Sequence, residues 1–118
     1  MVGKLVDRAQ WSGASDDAGV WRGEIEGRHL GANVSVIFVH TDKPGGGPRL
    51  HRHPYAETFI IRKGRALFTV GEDRFEASAG QIITCPANVA HKFENLGPGT
   101  LEQIDIHEAS QFSTEWLE

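Results

Sequence analysis

The sequence contains one cysteine, one methionine and five prolines among 118 residues. With Cys85 alone, no internal disulfide can form, which fits a protein of the reducing cytoplasm. No block of Lys or Arg occurs, and the net charge of −4 gives no clustered basic surface for phosphates, so nucleic acid is not an expected partner. No apolar run approaches the roughly 20 residues of a membrane span. Residues 1–10 show no basic segment followed by an apolar stretch, so no secretory leader is expected. Long amphipathic helical periods are missing as well, and with them any helical DNA-reading segment.

What is abundant is glycine, with 14 spread through the chain. They divide short runs of β-forming residues, the pattern of a sandwich or barrel of short strands. One domain over 1–118 is expected at this length. Val20–Glu26 is the first such run. In Asn33–His40, Val34, Val36 and Phe38 share one face and Ile37 and Val39 the other, so this strand should be covered on both sides. Runs follow at Glu57–Arg62, Ala66–Val70, Arg74–Ala77, Gln81–Cys85, Ala90–Glu94 and Leu101–His107. Gly71-Glu72-Asp73 reads as a hairpin turn, and Gly45-Gly46-Gly47 as a flexible one. The tail from Ala109 to Glu118 could form a short helix capped by Ser110 or Ser113. Cys85 sits in a strand-like run and reads as a small core residue. Trp11, Trp21 and Trp116 read as core or dimer packing.

Three of the six histidines stand apart. His51 and His53 are two residues apart, which puts both on one face of a strand. Glu57 follows His53 at an even step, with a bend expected near Pro54. His91 lies on a distant run. Surface histidine pairs share the His-x-His pattern, so that pair alone does not decide for a metal.

The joint spacing says more. Gly45, His51, His53, Glu57 and Gly64 resemble the first motif of the cupins, over 45–64. Gly80, Pro86, His91 and Asn95 resemble the second, over 80–95, with Asn88 where the family has glycine. Asn is the non-glycine residue best tolerated at positive φ, so the departure is conservative. The resemblance, to small single-domain RmlC-like cupins, implies an all-β double-stranded β-helix, or jelly roll. It also implies His51, His53, Glu57 and His91 as ligands of one divalent transition metal. Three imidazoles and a carboxylate suit Fe, Mn, Ni, Co, Cu or Zn better than Ca or Mg, and four ligands of an octahedron leave two positions for other molecules.

Parity adds Phe59, Ile61 and Phe93 as pocket candidates, with His40 as a candidate base behind the ligands. On the last strand either Glu102, Ile104 and Ile106 or Gln103, Asp105 and His107 face inward; the polar set inside would favour sugar chemistry. The expected function is metal-dependent and dioxygenase-like, on a small organic substrate. A binding cupin without turnover and a sugar isomerase or lyase are the alternatives. The resemblance also implies a homodimer paired through sheet edges and outer faces, with which the doubly apolar strand Asn33–His40 and the outward Ile60 are consistent.

Overall fold

The structure is a computed structural model that describes residues 2–118. Ten strands form two five-stranded antiparallel sheets. They are β1 (Gly23–Ile25), β2 (Ser35–Thr41), β3 (His51–Arg52), β4 (Glu57–Lys63), β5 (Arg65–Val70), β6 (Asp73–Ser78), β7 (Ile82–Cys85), β8 (His91–Asn95), β9 (Leu101–His107) and β10 (Glu115–Trp116). One sheet runs β1-β2-β9-β4-β7 and the other β10-β3-β8-β5-β6, the jelly-roll arrangement. No helix of the described residues is long and apolar enough to cross a membrane.

Alternation builds the core. On β4, Glu57, Phe59 and Ile61 are buried; on β8, His91, Phe93 and Asn95. With Phe68 and Leu101, the three apolar ones among them, Phe59, Ile61 and Phe93, fill the space between the sheets. On β9 the polar parity faces inward: Gln103, Asp105 and His107 are buried with Leu101, and Glu102, Ile104 and Ile106 lie outside.

Local turns obey backbone sterics. Asn88 has φ 65° and is the sole non-glycine residue at positive φ among the described residues, as its exchange for the family glycine requires. The glycine turn is tied down rather than loose. Gly45 N–H donates to the Asn95 carbonyl (2.7 Å) and Asn95 N–H to the Gly46 carbonyl (2.9 Å). A Cβ on Gly47 would meet the Phe93 carbonyl oxygen at 2.0 Å, so only glycine fits against β8 there.

Two expectations change. The tail is extended and not helical, with Glu115–Trp116 adding to the edge of β3; Phe112, Thr114 and Trp116, two residues apart, turn one side toward the barrel. The strand at 33–40 is covered on both sides, but its outer cover is the chain's own N-terminal segment: Trp11 stacks on Phe38 at 3.8 Å between ring centroids, and Trp21 meets Phe38 edge-on at 5.7 Å.

Candidate metal centre

The four ligand candidates reach one point from three strands and a loop. His51 on β3 pairs in register with His91 on β8. After Arg52 the chain leaves that sheet at Pro54, and Glu57 opens β4 in the facing sheet. The bend expected at Pro54 is therefore a crossing between sheets, and the carboxylate approaches opposite the imidazoles. One ligand atom from each of His51, His53, Glu57 and His91 lies within 4.8 Å of the others, and all four residues are buried.

The orientation of each imidazole follows from its hydrogen bonds. Nδ1 of His51 donates to the Arg49 carbonyl (2.7 Å), Nδ1 of His53 to the Ser113 carbonyl (2.9 Å) and Nδ1 of His91 to the Val89 carbonyl (2.9 Å). A neutral ring with its proton on Nδ1 has a bare lone pair on Nε2. Nε2 of His53 and of His91 each lie 3.1 Å from Oε1 of Glu57. The His53 approach is off the line of a hydrogen bond, which leaves that buried nitrogen without a partner among the described residues. Imidazole nitrogens converging on a buried carboxylate, one of them without a hydrogen-bond partner, suit a cation between them. The charges agree. Burial alone would raise the Glu57 carboxyl, but His107, His53 and His91 outweigh it and hold it far below the ordinary carboxylate range. Burial disfavours charge on His91, yet Cys85, Glu57 and the Val89 carbonyl push it up to about 10. Burial lowers His51. Nε2–H of His91 therefore donates to Oε1 of Glu57 in the metal-free protein, and a metal ion would displace that proton on binding.

A fourth buried histidine, His107, differs from these three. It pairs across strands with Glu57, and its Nε2 is 3.1 Å from Oε2 of Glu57, again off the ideal hydrogen-bond line. Ser113 N–H donates to Tyr55 Oη (3.3 Å), and Tyr55 Oη donates to Nδ1 of His107 (2.7 Å). The His107 proton is then on Nε2, facing the carboxylate. His107 thus holds Glu57 in place, with Tyr55 fixing its tautomer. Cys85 sits behind the group, its Sγ 3.3 Å from Nδ1 of His91, as a buried residue of the core.

Glu57 and the imidazoles of His51 and His53 border a cavity of about 510 Å³. Phe59 and Phe93 form part of its apolar wall, joined by Ile37 and Val39 of β2. Ile61 faces inward as parity predicts but is packed in the core, beyond the residues that line the cavity. His40 is corrected more fully: it shares the outer parity of Phe38, and its Nδ1 lies 3.0 Å from Oε1 of Glu102 on the outer face of β9. It lines no part of the cavity and cannot serve as a base there. Phe112, Thr114 and Trp116 also line the cavity, a place the sequence did not point to: it offers Trp116 only as core or dimer packing. Their i, i+2, i+4 spacing was the signal, masked by reading the tail as helical.

Comparison with known proteins agrees with this geometry. The cupin domain family model matches residues 38–107. The chain belongs to the cupin family. Among curated relatives, a mannose-1-phosphate guanylyltransferase of Salmonella muenchen is 33% identical over 89 residues, covering 74% of this chain and 18% of that protein. A polyketide synthase of Streptomyces cyaneus is 29% identical over 69 residues, covering 58% of this chain and 45% of that one. This cupin therefore spans under half of the length of either relative. Among solved structures, a Bacillus subtilis oxalate decarboxylase with Mn(II) centres superposes with a TM-score of 0.72 at 22% identity, over 80% of this chain and 27% of that one. At that identity the likeness concerns the fold.

Proposed function

We propose that this cupin is a metal-dependent enzyme acting on a small organic molecule, with His51, His53, Glu57 and His91 holding one divalent transition metal. The observation that carries the reading is the set of three imidazoles, each with Nδ1 bound to a backbone carbonyl, whose ligand atoms converge with the Glu57 carboxylate within 4.8 Å of one another on the wall of a cavity. When bound, the metal would polarise a substrate oxygen and, if redox-active, support dioxygen chemistry. The chain's own residues would fix the ligands, keep Glu57 ionised through His107, and hold an apolar substrate body against Phe59 and Phe93. Dioxygenase-like oxidation is the leading reaction type. Cys85, buried and unpaired, suits the cytoplasmic setting we propose.

A second reading is a non-redox isomerase or lyase. It is favoured by the inward polar column Gln103, Asp105 and His107, and by the sugar phosphate in the name of one relative, the mannose-1-phosphate guanylyltransferase. Metal analysis of the purified protein, followed by oxygen uptake with Fe(II) across diols and diketones, tests the first reading. Uptake of oxygen with product supports it. Product without oxygen uptake supports the second, and saturable binding without product marks a binding cupin.

We also propose a homodimer. Outside the first sheet, Ile104, Ile60 and Ile82 lie in register from β9 to the edge strand β7, with Ile82 65% exposed. A monomer in gel filtration at micromolar concentration would reject it.

A further inference from the structure

Three acidic side chains border the cavity: Glu57 at the candidate metal centre, Asp105 on β9 and Glu24 on β1. Among the described residues that line it, none is Lys or Arg. The guanidinium of Arg49 has its Cζ 5.0 Å from the centroid of the Trp116 ring and lines a neighbouring surface depression, not this cavity. Three imidazoles, His51, His53 and His107, also line it, and those of His53 and His107 lie against Glu57; the rest is largely apolar, with Ile37, Val39, Phe59, Phe93, Phe112 and Trp116. A ligand with one charged end at Glu57's side would leave a second charge facing carboxyl groups and hydrocarbon. An uncompensated ion removed from water in such a place is strongly disfavoured.

Asp105 shows what the cavity can recognise. Its register places it between Ile37 and Phe59 on the inner face of the first sheet, two positions along from His107 and Glu57. Gln103 donates its Nε2–H to Oδ1 of Asp105 (2.8 Å) and so fixes the carboxyl plane. Burial, and then the charge of Glu57, push the Asp105 carboxyl upward, toward the neutral acid. A neutral carboxyl with one oxygen occupied by Gln103 can offer its hydroxyl to an acceptor in the cavity.

We propose that the cavity takes an uncharged organic oxygen compound with an apolar body, one oxygen held by Asp105 and the body lying against Phe59, Phe93 and Trp116, and that it rejects dicarboxylates and phosphate esters. The inference builds on the proposed metal centre for the second anchoring point. It separates this chain from oxalate chemistry in spite of the shared fold, because a dianion has no second cation here.

The test is calorimetric titration of the zinc-loaded protein with three probes: 2′-hydroxyacetophenone, oxalate and glucose 6-phosphate. The neutral probe should bind at least about tenfold more tightly than either anion, a margin of the size that one hydrogen bond and an uncompensated charge produce. Equal or tighter binding of either anion, or no binding of the neutral probe at millimolar concentration, overturns the proposal. Asp105→Asn keeps a donor and an acceptor and should bind the neutral probe within about threefold of wild type, whereas Asp105→Leu should lose about tenfold. Equal losses in both variants overturn the role of Asp105. Zinc content is measured first. No zinc uptake would sink the proposed function, while the order of the three probes on the zinc-free protein would still decide the ligand class.

Discussion

His51, His53 and His91 each give Nδ1–H to a backbone carbonyl, whereas His107 takes a hydrogen bond at Nδ1 from Tyr55. All four are buried and gathered around Glu57. The side chain is the same in each case; the partner of one ring nitrogen sets the role. A carbonyl at Nδ1 leaves Nε2 as a lone pair for a cation. A hydroxyl donor at Nδ1 turns Nε2 into an N–H that supports the carboxylate. Sequence position alone does not show this, because the carbonyls and Tyr55 Oη reach the rings only through the fold.

The largest expected effect tests the first kind. His51→Ala and His91→Ala should each remove most bound metal, read by elemental analysis, while circular dichroism keeps its β-sheet form. Full retention of metal in both variants breaks the ligand assignment. The same distinction predicts stability. Zinc at about 100 times its dissociation constant should stabilise the chain by about 2.7 kcal/mol, a rise in Tm on the order of 10 °C for a domain of this size. His51→Ala should show almost none of that rise in a thermal melt, and an undiminished rise would place the ion elsewhere.

The second kind is tested by His107→Gln, which removes the support of Glu57 and leaves the three other imidazoles. Metal affinity should fall by about 10–100-fold, the usual consequence of losing a residue that orients a ligand. Tyr55→Phe should cost less, since the ring of His107 stays in place and only its tautomer is freed. Both are read by competition against a chelator. If His107→Gln abolishes binding as fully as His51→Ala does, His107 is itself a ligand and the division into two kinds is lost.

The two regions also differ in how well the sequence revealed them. Both cupin motifs, the jelly roll and the inward parity of Glu57, Phe59 and Phe93 were legible, because strand alternation and turn chemistry are local. Asn88 at positive φ was legible for the same reason. His107 was not, since alternation on β9 allowed either face and only register against β2 and β4 decides which is inside. The tail was misread because polar spacing in Ser110–Glu115 suits a capped helix, and pairing with β3 overrides that local preference. His40 was drawn into the pocket by its place after Phe38, but that face proved to be the outer one.

The smallest effect concerns the polar column that alternation left undecided. Asp105 is pushed up by burial and then by the charge of Glu57, so its folded pKa lies above the unfolded value of about 3.9. Its contribution to stability is full below that value and is lost as pH rises toward the folded pKa. Asp105→Asn, which does not titrate, escapes that loss. Its stability relative to the wild type should therefore increase as pH rises from about 4 to 8, measured as urea midpoints of both proteins in the presence of a chelator. A constant difference over that range would mean that the Asp105 carboxyl is ionised inside the barrel, and an ionised carboxylate has no hydroxyl to offer a ligand, which would remove its proposed role.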